Sequence, residues 1–140
     1  MNFVDSIKSG ITNIITWKGR ASRSEFWYFY LFIVIAGIVL AFISGLLALT
    51  PLGGVFALLG GLINLALTVA MISLAVRRVH DLGLSGWWLW ISLAPFVVDK
   101  NQKASGGSTY LVLFGWMYSI KMYVTAGEST ENQYGPNPLA

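Results

Sequence analysis

Long apolar runs alternate along this chain with short charged ones. Residues 26–50 carry no charge and residues 52–76 contain no ionisable side chain, and the only break between them is Thr50-Pro51-Leu52-Gly53-Gly54. Its proline and paired glycines read as a tight turn. A helix of twenty-five residues (26–50) extends about 37 Å, enough to cross a hydrocarbon layer of about 30 Å with some tilt. The pattern therefore predicts two transmembrane helices, 26–50 and 53–76, with Phe26, Trp27, Tyr28 and Tyr30 as an aromatic belt at the entry of the first. Gly37, Ala41 and Gly45 in the first run, and Gly53, Ala57 and Gly61 in the second, recur every fourth residue. Small residues at that spacing let helix backbones approach, so the two spans are expected to pack as an antiparallel hairpin.

The flanks follow the same logic. Phe3, Ile7, Ile11, Ile14 and Ile15 fall at helical spacing, with Asp5, Lys8 and Asn13 between them, which predicts an amphipathic helix over 1–16 lying in the membrane interface. Ser22 and Glu25 have the spacing of a capping box directly before the first span. Gly83 is placed to end the second helix and Ser85 to cap the next, where Trp87, Trp88 and Trp90 form a second aromatic belt. Two shorter apolar segments follow, 84–98 and 109–124, the latter carrying Lys121 near its end. They are separated by the polar, glycine-containing stretch 99–108. Two tilted spans or a shallow re-entrant hairpin would satisfy this pattern; the reading adopted is two spans. The tail 125–140, with Gly135, Pro136 and Pro138, is expected to be extended and solvent-facing. The fold expected is one all-α membrane domain: a four-span helical bundle with an N-terminal interfacial helix.

Composition agrees. Charged residues make up 11% of the chain against about 25% in ordinary soluble domains, and mean hydropathy is +0.67. The net charge of +3 does not indicate nucleic acid, because the basic residues border apolar segments instead of forming one basic face. The absence of cysteine excludes disulfides, thiolate metal sites and a cysteine nucleophile. A cleaved signal peptide is not expected, since the first apolar run starts only at Phe26 and is far too long for one. Lys8, Lys18, Arg20 and Arg23 precede the first span, Arg77 and Arg78 follow the second, and the turn between the spans has no basic residue. The positive-inside rule then places the N terminus and the 77–86 loop in the cytoplasm, with Lys100 and Lys103 as a minority on the other side.

Three segments carry a resemblance. Gly19-Arg20-Ala21-Ser22-Arg23-Ser24-Glu25-Phe26-Trp27 is similar to a G-R-A-x-R-x-E-[FY]-W motif. Arg77-Arg78-Val79-His80-Asp81, with Ser85-Gly86-Trp87-Trp88, is similar to R-R-[LV]-H-D and S-[AG]-W-W. Asn132-Gln133-Tyr134-Gly135-Pro136-Asn137-Pro138 is similar to N-x-[FY]-G-P-x-P. In this order, over nearly the whole chain, they resemble domain-of-unknown-function family 805, small bacterial inner-membrane proteins. The chain departs from that family at 99–108, where its members have a short glycine-containing turn. The resemblance implies an integral protein of the bacterial inner membrane and brings no biochemical activity with it.

The expected topology puts all three segments on the cytoplasmic side, where they would form one polar cap. Its expected members are Arg20, Arg23, Glu25, Arg77, Arg78, His80 and Asp81, with Asn132, Tyr134 and Gly135 of the tail docked across it. Arg77 and Asp81, at i and i+4, can pair on a helix surface, and Glu25 could accept from an arginine of the other segment. Two readings of the cap stand side by side: helix caps and ion pairs that lock the bundle at headgroup level, or a surplus of arginine that binds anionic lipid or an acidic partner. Catalysis is not expected: His80 and Asp81 are adjacent and diverge on a helix, and no nucleophile elbow, phosphate loop or dinucleotide fingerprint occurs. One histidine without cysteine does not make a zinc site, and no cofactor is expected. A small channel or transporter subunit is the alternative. It would use Ser44, Asn64, Thr68 and Ser73, but no acidic residue lies inside a span. Expected partners are membrane lipids, a second copy of the chain or another membrane protein, and no nucleic acid.

Overall fold

The 1–16 segment is helical only as far as its caps allow. In the computed structural model, which describes residues 2–90 and 117–139, α1 runs Phe3–Thr12. Asn2 Oδ1 accepts from the Asp5 amide at 2.8 Å, and Asn13 ends the helix with its side-chain amide donating to the Ser9 carbonyl at 2.9 Å. A polar residue able to satisfy a terminal carbonyl stops the helix before Ile14 and Ile15 can extend the apolar stripe. The two long runs form α2, Arg23–Leu47, and α3, Gly53–His80, both long and apolar enough to cross a membrane. α2 begins directly after Ser22, at the position the capping-box spacing gives. Between the helices, the Thr50 hydroxyl donates to Leu47 O at 2.8 Å and the Gly53 amide to Thr50 O at 3.0 Å. A Cβ on Gly53 would lie 2.6 Å from Leu47 O, so this turn needs a glycine.

All regular structure among the described residues is helical, with one isolated bridge between Asn132 and Gly135. The expected loop 99–108 lies outside the described residues, as do 91–98 and 109–116 of the two expected segments; of the remainder, 88–90 and 117–124 are helical.

The chain divides into two compact units. One comprises Met1–Thr16 with Ser24–Leu74, the other Trp17–Arg23 with Ala75–Ala140. In the first unit, α1 buries its small residues. Ser6 and Gly10 are covered, while Val4, Ile11 and Ile15 are exposed. Gly10 fits against the fully buried Phe29 ring, where a Cβ would come within 2.3 Å of ring carbon. Phe3 meets Tyr28 edge-on at 6.0 Å, the Ser9 hydroxyl donates to Glu25 Oε1 at 2.8 Å, and the buried Ser73 hydroxyl reaches the Asn13 and Thr16 carbonyls at 3.0 and 2.6 Å. Gly10→Ala should therefore cost about 1–3 kcal/mol by overpacking against Phe29, measured as a shift in detergent-solubilised unfolding.

The hairpin does not pack as its small residues suggested. Among the described residues, a Cβ on Gly37, Gly45 or Gly61 would meet nothing within 4 Å, whereas one on Gly60 would stand 3.6 Å from the Ser44 hydroxyl. A four-residue spacing marks a face of a helix but does not say what that face meets. Asn64 and Thr68 also turn inward on their own helix, donating to Gly60 O at 3.0 Å and Asn64 O at 2.8 Å. The lipophilic side chains of α2 and α3 are largely exposed within this unit, which suits helices surrounded by hydrocarbon.

Candidate functional site

The second unit is built on the end of α3. Its helix stops at His80 because Gly83 takes φ +71°, and the Gly83 amide donates to His80 O at 3.0 Å while the Leu84 amide donates to Val79 O at 3.3 Å. This pair of bonds is the Schellman termination, and Gly83 supplies the left-handed residue it requires. Ser85 then opens the next turn, its carbonyl accepting from the Trp88 amide at 3.0 Å. The 17–23 segment is pinned to this helix end: the Ala21 amide donates to Arg77 O at 3.1 Å, and Ala21 and Val79 are fully buried. Gly19, at φ +89°, turns its carbonyl to His80 Nδ1 at 3.3 Å.

Asp81 is the centre of the site. Arg20 approaches one carboxylate oxygen, Nε at 2.9 Å and Nη2 at 2.8 Å, and Arg78 pairs with the other. The side chains of Arg20, Arg78 and Asp81 are 1%, 0% and 5% exposed, so this is a buried triad of two cations and one anion. Asp81 thus pairs with Arg78, three residues before it, together with Arg20. Asp81 lies just beyond the last helical residue, where its carboxylate meets Arg20 arriving with the pinned segment. Arg77 is buried, and its carbonyl receives the Ala21 and Asp81 amides.

The tail completes the coordination. Arg20 Nη1 donates to Thr130 O at 2.7 Å and Gly135 O at 3.3 Å, Arg20 Nη2 donates to Glu128 O, and Arg78 donates to Thr125 O. Carbonyl dipoles gather around the excess positive charge, as they do at a helix C-terminus. Asn132 holds a turn by accepting from the Tyr134 amide at 3.0 Å. Its side-chain amide donates to His80 O at 3.0 Å and Glu128 Oε2 at 2.7 Å. Gly135, at φ +126°, closes the turn through bonds of 3.2 and 3.0 Å with Asn132. Tyr134 stacks on the His80 ring at 3.9 Å, 2° from parallel. The tail's side chains are mostly exposed, as expected, but its backbone is turned and bound instead of extended. An unstructured composition does not reveal that its carbonyls have a cationic partner.

The structure thus brings together Arg20, Arg78, His80, Asp81, Asn132 and Tyr134. Arg23 is exposed and donates to Val124 O at 3.3 Å, and Glu25, in the other unit, receives Ser9. His80 and Asp81 engage different partners, so they form no relay. Gly127 and Glu128 were absent from the sequence-derived site. A Cβ on Gly127 would lie 1.8 Å from Asp81 Oδ2, and the Glu128 amide donates to Asp81 O at 2.9 Å. Nothing in an Ala-Gly-Glu-Ser run announces such proximity.

Comparison with known proteins adds context to this geometry. Inner membrane protein YhaI of Escherichia coli strain K12 is 30% identical over 130 residues, covering 93% of this chain and 92% of its own. Inner membrane protein YhaH of the same strain is 28% identical over 128 residues, covering 91% of each. No solved structure matches the chain. The family profile described as protein of unknown function (DUF805) matches residues 14–136, a stretch that includes Arg20, Arg78, Asp81, Asn132 and Tyr134, and the chain belongs to that family of membrane proteins.

Proposed function

We propose that the protein is a small non-enzymatic component of the inner membrane. It crosses the membrane four times with its N terminus in the cytoplasm, and its arginine-rich end is a folded cap that meets anionic lipid headgroups. The observation that supports this is the charge left over in the second unit. Among its described residues, six basic side chains, Lys18, Arg20, Arg23, Arg77, Arg78 and Lys121, stand beside three acidic ones, Asp81, Glu128 and Glu131, a formal excess of three positive charges. Carbonyl oxygens orient toward Arg20 and Arg78 but cancel no net charge. Lys18, Arg23 and Lys121 are exposed, and each basic residue near an anionic leaflet contributes about 1 kcal/mol of attraction. The lipid-binding role assigned to the whole cap thereby divides: the buried arginines hold the tail, and the exposed basic residues meet the headgroups. α1, with Val4, Ile11 and Ile15 exposed, suits a helix lying in the interface.

Native mass spectrometry of the full chain, released from its own membrane in mild detergent, tests this and reports any homo-oligomer at once. Wild type should retain anionic lipid, and the triple variant Lys18→Glu/Arg23→Glu/Lys121→Glu should lose most of it while unfolding at the same denaturant concentration. Equal lipid retention by both proteins would contradict the proposal.

A further inference from the structure

Trp17, His80, Ser85, Gly86, Trp87 and Trp90 line a cavity of about 320 Å³ beside the end of α3. Trp87 and Trp90 are 76% and 62% exposed, whereas His80 is 8% exposed and fixed on one face by Tyr134. The orientation of the His80 ring follows from its partners. The Gly19 carbonyl can only accept, so Nδ1 carries the proton, and the neutral ring presents Nε2 as an acceptor. Among the described residues Nε2 has no hydrogen-bond partner, and it lies 3.5 Å from where a Cβ on Gly86 would stand. The cavity therefore combines three indoles, the Ser85 hydroxyl and an acceptor nitrogen open to it, with no formally charged residue in its lining.

We infer that this cavity holds the headgroup of an anionic phospholipid that ends in hydroxyl groups, of the glycerol type. A headgroup hydroxyl donates to His80 Nε2, Ser85 offers a second polar contact, and the carbon skeleton packs against the indoles. The phosphate stays at the rim, where Lys18 follows Trp17 in a unit with surplus positive charge. A zwitterionic headgroup adds a cation to that field, and an anionic one without hydroxyls leaves Nε2 unmet. This assignment rests on the membrane-face placement proposed above and names the lipid that the cap selects.

The test uses the full chain, stripped of lipid in detergent and titrated by native mass spectrometry with phosphatidylglycerol, phosphatidylmethanol and phosphatidylcholine of identical acyl chains. Phosphatidylglycerol should bind about fivefold more tightly than phosphatidylmethanol, which has its charge but not its hydroxyls. Trp87→Ala, at an exposed position, and Gly86→Val, which sets methyl groups against Nε2, should each bring that ratio close to one. Equal binding of the two anionic lipids by wild type, both above phosphatidylcholine, would overturn this inference and leave the cap reading standing. Failure to prefer either anionic lipid over phosphatidylcholine would overturn both. A preference that survives in both variants would place the headgroup elsewhere and overturn the cavity assignment.

Discussion

Asp81→Ala is expected to be the most damaging single substitution in the second unit, lowering stability by about 3–5 kcal/mol. The carboxylate is the only anion paired with Arg20 and Arg78 among the described residues, and both guanidinium groups are essentially inaccessible to water. Removing it leaves two buried like charges with carbonyl dipoles but no counter-ion, and desolvation of an uncompensated buried charge outweighs any gain in side-chain freedom. Arg78→Ala should cost less, because Asp81 then keeps Arg20. The ordering wild type, Arg78→Ala, Asp81→Ala is measurable by denaturant titration in bicelles. A loss below about 1 kcal/mol for Asp81→Ala, the range of exposed ion pairs, would mean the triad is solvated.

Gly127→Val has nearly as large an effect by a different route. The new Cβ would stand 1.8 Å from a carboxylate oxygen that cannot swing aside without breaking its pairing with Arg78. The tail must lift instead, freeing the carbonyls of Thr125, Glu128 and Thr130 from the arginines. Overpacking costs about 1–3 kcal/mol, and at 1.4 kcal/mol per decade the open tail becomes about 5- to 150-fold more populated. Limited proteolysis should show faster cleavage within 125–135, with the apolar helices still intact. A cleavage rate equal to wild type would show that the tail does not pass Asp81 this closely.

How much of this was legible in the sequence depends on the physics behind each element. The two long helices are written in composition, since a run without charge has few other solutions at that length. The end of α3 at Gly83 and the start of α2 after Ser22 are written in single residues whose backbone or side chain suits one job. The clustering of Arg20, Arg78, His80, Asp81, Asn132 and Tyr134 is foreshadowed in the sequence, because all six lie in the polar segments that flank the apolar runs. Their pairing is not. The i,i+4 spacing of Arg77 and Asp81 is a statement about one helix, whereas Asp81 is claimed by a residue 61 positions earlier. The roles of Gly19 and Gly127 were hidden for the same reason, as each depends on which strand of chain comes near. The small-residue rows of α2 and α3 show the opposite failure: a genuine periodic signal whose expected partner face is not the one the hairpin uses.

The central claim is that the tail is a folded part of the cap, held by arginine and Asp81. The direct measurement is amide hydrogen exchange of the full chain in lipid nanodiscs, wild type against Arg20→Ala. The amides of Glu128, Asn132 and Gly135 are each hydrogen-bonded to backbone carbonyls, so they should exchange slowly in wild type and near the open-chain rate in Arg20→Ala. Open-chain exchange at all three in the wild-type protein would contradict the account.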